Sequence, residues 1–282
     1  MTLQEHGVPR GGLASQRLPR PLTGPNNIAN FIGKTLVIAE LEARKLRHDP
    51  TELFTRAVQP ALWLLVFGQV FTRTRAIPTG DIPYLDFMAP GILAQSVLFI
   101  AIFSGIAIIW ERDLGIVHKF LASPTPRTAL VLGKALSAGV RALSQAIIVY
   151  VLALLLGVHL NPNPLALIGM LVAVILGATL FSTFSLIIAC VVKTRERFMG
   201  IGQVLTMPLF FASNAIYPID IMPGWLKVLA RINPLSYEVD ILRALMIGQA
   251  SSTGLLLDFG VLVLVSGGLI LIGARMYPRV VV

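Results

Sequence analysis

The side chains able to carry chemistry in this chain are sparse and do not converge. His6, His48, His118 and His159 are spread along 282 residues, and Cys190 stands alone inside an apolar run. One thiol builds neither a disulfide nor a zinc site. No Gly-x-x-x-x-Gly-Lys-[Ser/Thr] loop is present to cradle a nucleotide, and no His-Glu-x-x-His pair to hold zinc. Neither a catalytic residue nor a metal site is therefore expected. What remains is charge. Glu111, Arg112 and Asp113 open a charged connection, Trp110 to Leu136, between two apolar runs long enough to cross a bilayer. A membrane protein without catalytic apparatus needs a place where an outside energy source can push, and this connection is the candidate; solvated interfacial charge is the plainer reading. Gly115 would allow close approach or merely end a helix, and Ser123-Pro124-Thr125-Pro126 fixes a rigid corner ahead of Arg127.

Arg141 is the one charge well inside an apolar run, and Asp258 lies near the outer end of another. Each either snorkels to the headgroups or lines a polar path. Gln69, Gln95, Gln145, Gln203 and Asn214 complete a candidate lining, or else join helices by hydrogen bonds. No paired carboxylates stand at mid-span, which argues against proton-driven transport.

The elements that must position these groups are set by composition. The chain is 55% hydrophobic and 13% charged, with a mean hydropathy of +0.79. Soluble domains are charged to about 25%, so the deficit points to an integral membrane protein. The net charge of +9 is scattered at the ends of apolar runs rather than gathered on one face, which disfavours a nucleic-acid partner.

In chain order, residues 1–27 are rich in Gly, Pro and Arg and read as a cytoplasmic tail without a signal peptide. Residues 28–48 place Ile28, Phe31, Ile32, Ile38 and Leu41 opposite Lys34, Arg44, Lys45 and Arg47, the pattern of an amphipathic helix on the inner leaflet or packed on the protein itself. Asp49-Pro50-Thr51-Glu52 has the order of a helix start. Spans are expected at about 50–71, 87–110, 128–158, 165–192, 198–216 and 255–274. Asn161-Pro162-Asn163-Pro164 makes a tight turn, and Gly169, Ala173 and Gly177 recur at every fourth position, where small residues admit another helix. Between the fifth and sixth spans, Trp225 to Arg231 and Ser236 to Met246 are short amphipathic stretches. Of 23 Lys and Arg, only Arg73, Arg75, Lys227, Arg231 and Arg243 fall on the far side of this layout, besides Arg141 inside it. The positive-inside rule then puts both termini, and the Trp110 to Leu136 connection, in the cytoplasm.

Two stretches carry a family resemblance. Glu111, Gly115, Leu121, Pro124, Arg127, Gly133 and Lys134 resemble the cytoplasmic loop of ABC type-2 permeases, within which the drug-resistance and lipo-oligosaccharide export branch looks nearest. Phe211-Ala212-Ser213-Asn214-Ala215-Ile216-Tyr217-Pro218, Met222-Pro223-Gly224-Trp225-Leu226 and Ile232-Asn233-Pro234-Leu235-Ser236-Tyr237-Glu238-Val239-Asp240 through Arg243 resemble the outer segment of the same family. The resemblance implies an all-α polytopic fold of six spans over residues 28–282, with short re-entrant helices carrying Trp225, Asn233, Pro234, Glu238, Asp240 and Arg243. It implies an exporter permease of the cell membrane with two separate ATPase chains that hold ATP and Mg, and pairing with a second copy or a homologous permease. Glu111, Arg112, Asp113, Gly115, His118, Lys119, Pro124 and Arg127 would then face the ATPase. The cargo implied is an amphipathic drug or lipid-like compound, with a glycolipid or polysaccharide as the alternative. A membrane-embedded enzyme or a non-transporting anchor subunit are the rival classes, and the first lacks polar residues converging at one depth.

Overall fold

The computed structural model describes residues 50–75, 77–80, 82–117, 127–192 and 194–280, and among them every regular element is helical. The expected tail 1–27, the expected inner-leaflet helix 28–48, and His118, Lys119 and Pro124 lie outside the described residues.

The first helical segment, α1, is α-helical over Pro50–Leu62, widens to a π-helix over Trp63–Gly68, and returns to α-helix over Gln69–Thr74. The remaining helices are α2 (Tyr84–Phe103), α3 (Ile106–Asp113), α4 (Arg127–Leu155), α5 (Pro164–Val191), α6 (Arg195–Phe211), α7 (Gly224–Ile232), α8 (Pro234–Ile247) and α9 (Leu255–Met276). Short 3₁₀ turns follow at Ile219–Ile221 and Tyr277–Val280. Four stretches are long and apolar enough to cross a membrane: Tyr84–Asp113, Leu130–Leu155, Pro164–Val191 and Leu255–Met276.

Three expected boundaries need correction. The second span begins at Tyr84 rather than residue 87: Asp86 is buried inside the helix and hydrogen-bonds His159 at 2.8 Å. It is also broken: the turn at Ser104 and Gly105 separates α2 from α3, with the Ser104 hydroxyl donating to the Ala101 carbonyl at 2.6 Å. The expected fifth span, α6, stops at Phe211 instead of running to residue 216. Its 17 residues rise only about 26 Å, short of a hydrocarbon core of about 30 Å. The side chain of Asn233 ends it, donating to the carbonyls of Leu209 at 2.6 Å and Ala212 at 3.0 Å. Asparagines start helices here too. Asn163 accepts from the Leu165 amide at 2.9 Å and Asn233 from the Leu235 amide at 3.0 Å, each followed by proline at the first helical position.

α5 is the centre of the bundle, packed against α2, α3, α4, α6, α8 and α9. Small residues make that possible. A methyl on Gly177 would collide with the Glu238 carboxyl of α8, and one on Gly169, about two turns back along α5, would stand 3.0 Å from Leu245, also of α8. On α2, Gly91 lies directly on the backbone of Ala215.

This last approach gives a test. Gly91→Ala pushes a methyl into main chain that cannot rotate away, so it should destabilise the fold by about 1–3 kcal/mol. Gly267→Ala, on α9 where nothing lies within 4 Å, should be neutral. Unfolding of the purified chain by SDS in mixed micelles separates the two; equal behaviour would mean that the α2 crossing is looser than described.

Candidate functional site

At one end of the bundle, α3 is tied to two other helices. Glu111 pairs with Lys134 on α4. Asp113 accepts from Arg195 at the start of α6 at 2.8 Å and from its neighbour Arg112 at 3.1 Å. The Arg195 guanidinium also lies 3.7 Å above the Trp110 ring. Pairs this open to solvent are screened, so they set position more than stability. Gly115 takes a left-handed conformation, φ 69°, and its amide bonds the Arg112 carbonyl at 2.9 Å. It therefore ends α3. The turn at Leu114 and Gly115 closes α3 after Asp113.

Two acidic groups expected to face a partner are thus engaged within the chain. Among the described residues of this tip, Leu114 is an outward apolar group, 67% exposed. Arg127 is exposed at the first residue of α4. Sequence reasoning did not single out Leu114, Arg195 or the Lys134 pairing, because each depends on which helix ends meet. An exposed leucine beside a left-handed glycine at a helix end is the signal that was present.

The expected lining residues differ in burial. Gln95, Gln145 and Asn214 are buried, whereas Gln203 is exposed on α6. Arg141 sits where α3, α4 and α5 meet, on a cavity of about 90 Å³ that it shares with Ser104, Glu111, Lys134, Ser182 and Thr183. Asp258 is fully buried, accepting from the hydroxyls of Ser251 and Thr253, and so does not snorkel.

At the other end, α8 carries a buried polar network. Asp240 accepts from Asn214 Nδ2 at 2.5 Å, from Arg243 Nη1 at 3.3 Å and from the Ser252 hydroxyl. Arg243 donates from Nη2 to the Asn214 carbonyl at 2.8 Å and lies 3.9 Å over the Phe87 ring. Burial pulls its pKa down to about 10, so it stays cationic at neutral pH. Tyr84 closes the group by donating to the Ile216 carbonyl at 2.9 Å. Glu238 is fully buried on another side of α8, and neither of its oxygens has a hydrogen-bond partner. Pro234 starts α8, and Trp225 is exposed on α7 together with Val228, Leu229 and Ile232, one turn apart along a single face. Among the described residues no cluster of ligating side chains could hold a metal ion.

Comparison with known proteins agrees with this picture. The family described as ABC-2 type transporter matches residues 34–247. A daunorubicin resistance ABC transporter permease protein, DrrB1 of Streptomyces coeruleorubidus, is 28% identical over 252 residues, covering 89% of this chain and 87% of the relative. The transport permease ycf38 of Cyanophora paradoxa is 29% identical over 219 residues, 76% of this chain and 74% of the relative. Nodulation protein J of Rhizobium leguminosarum bv. trifolii is 26% identical over 172 residues, 60% and 64% respectively.

The outer network yields a double-mutant test. Arg243→Ala leaves the buried Asp240 without its counter-charge, and breaking such a pair costs about 3–5 kcal/mol. Arg243→Met combined with Asp240→Asn removes both charges and should recover most of the loss. Denaturation of the three variants in the same micelle system checks this; a double variant no better than Arg243→Ala would mean that the two groups act independently.

Proposed function

The chain belongs to the ABC-2 type transporter family, and from that premise we propose that it is the permease subunit of an ATP-driven exporter, powered by separate ATPase chains at its inner end. It is a transmembrane permease by family and by its four long apolar helices. In this reading α1, and α6 together with the turn that follows it, complete six crossings, and α7 and α8 form a re-entrant pair. Both termini are cytoplasmic in the cell membrane. Two ATPase chains carrying ATP and Mg dock below Leu114 and the loop after it, and two permease copies form the assembly. The cargo is an amphipathic drug or lipid-like compound, supported by relatives named for daunorubicin and multidrug transport.

The observation that carries the energy-coupling reading is the bracing of α3. Ion pairs reach from it to α4 and α6, while Ile108 and Ile109 bury against Val131, Leu186, Phe198 and Tyr277. A push on its tip is therefore delivered to several helices together, because packed interiors transmit displacement rather than absorb it.

Leu114→Asp tests the docking end. It changes an exposed residue and leaves Glu111, Lys134, Asp113 and Arg195 intact, so membrane abundance should match the parent while co-purification of the ATPase falls at least tenfold. Unchanged co-purification would move the docking site elsewhere. Topology is checked separately, on a Cys190→Ser background. Ala250→Cys should react with an impermeant thiol reagent outside intact cells, and Glu196→Cys only after the membrane is opened. Labelling of Glu196→Cys in intact cells would overturn the orientation.

A further inference from the structure

The buried carboxyl of Glu238 is the group that none of the foregoing uses. Its place in the bundle is well defined by its contacts. α8 runs antiparallel to α5, with Glu238 on Gly177 and Leu245 on Gly169. Gly177 lies at the middle of Pro164–Val191, about 20 Å from either end of that helix. The carboxyl thus stands at mid-depth of a helix long enough to cross a membrane, fully buried, with both oxygens unpartnered. Gln95 on α2 offers a second buried oxygen without a partner. It sits at a matching level, seven residues above Ile102 as Ala178 is above Ser185, the residue whose hydroxyl bonds Ile102.

A bare carboxylate in that place would carry the cost of burying an unpaired charge, several kcal/mol even after relaxation. Nothing nearby offsets it. On α8 itself Asp240 and Arg243 are bound to each other. On α2, Asp86 is held by His159, and on α9, Asp258 is held by Ser251 and Thr253, with Arg275 exposed near that helix's end. α7 carries Lys227 and an exposed Arg231, α6 has its charges in its first turn, and α5 has no charged residue. An unpaired carboxyl buried in this way favours its neutral form.

We propose that Glu238 is a proton-binding site in the seam between α8 and α5, loaded while the seam is closed and emptied when the outer helix pair parts from α5. On opening, water enters, the carboxyl O–H bond breaks, the bonding pair stays on the carboxylate and the proton passes to water. On closing, the same proton must be recovered. No oxidant, metal or second substrate takes part.

The sign of the pH effect follows. The closed seam binds one more proton than the open one at pH above the ordinary carboxylate range, so closure is fully favoured below that range and weakens as pH rises above it. The closed-to-open ratio should fall by up to about tenfold per pH unit.

The full chain in lipid nanodiscs, carrying glutamate with a labelled side-chain carboxyl, serves for the test. Its infrared spectrum at neutral pH should contain the carbonyl band of a protonated glutamic acid, and Glu238→Gln should abolish that band. Spin labels on Trp225→Cys and Leu165→Cys, on a Cys190→Ser background, should report a seam that opens as pH rises in the parent and is pH-independent in Glu238→Gln. Absence of the protonated band in the parent, persistence of it in Glu238→Gln, or the same pH response in both would overturn the proposal. The parent spectrum alone decides the first point should Glu238→Gln fail to assemble.

Discussion

A backbone that leaves its helix inside a bilayer must find partners within the protein, since an unsatisfied carbonyl or amide in hydrocarbon costs several kcal/mol. The outer half of this molecule is organised by that requirement. α6 stops at Phe211 and the chain turns irregularly before Tyr217. Asn233 covers the carbonyls of Leu209 and Ala212, Arg243 that of Asn214, and Tyr84 that of Ile216. Each of these side chains comes from another element. The short helices α7 and α8 are folded back against the bundle because the turn needs Asn233 and Arg243 at those positions, and Gly91 lets the turn lie close against α2.

The inner half follows a different rule. There the helices are regular and the polar groups are half-exposed, so the ion pairs of Glu111 and Asp113 act as guides, and the cohesion comes from packing of Ile109, Val131, Leu186, Phe198 and Tyr277. α5 belongs to both halves, with Ala173, Ala178 and Phe181 in the outer core and Leu186, Ala189 and Cys190 in the inner one. The break at Ser104 and Gly105 falls near the junction of these cores, where a side chain on Gly105 would meet the Phe198 ring at 2.6 Å. A displacement of α3 can thus differ from that of α2, while α5 remains the common rail.

The long helices were legible because an uncharged run of twenty or more residues leaves few alternatives. α4, α5 and α9 fall within a few residues of their expected places, and the two short outer helices appear where amphipathic stretches stand. What could not be read depended on distant partners. Nothing between Phe211 and Ile216 breaks a helix locally; the break is imposed by Asn233, more than twenty residues on. Asp86 reads as loop until His159 is placed beside it, and Asp258 reads as interfacial until two hydroxyls enclose it. Glu111 and Asp113 look like outward charges for the same reason. Their partners, Lys134 and Arg195, lie on helices whose ends converge only in three dimensions.

The two sides of α8 decide where this structure can yield. Residues 238 and 240 are separated by about 200° around a helix, so Glu238 and the Asp240–Arg243 pair point in nearly opposite directions. The Asp240 side is held by a charged pair and by hydrogen bonds to the turn after α6 and to Ser252, interactions that are expensive to expose one at a time. The Glu238 side meets α5 through glycine contacts, with no hydrogen bond to either carboxyl oxygen. The seam on Gly177 and Gly169 is therefore the side of α8 that can part without breaking a hydrogen bond to the carboxyl, and it is there that the proposed opening falls.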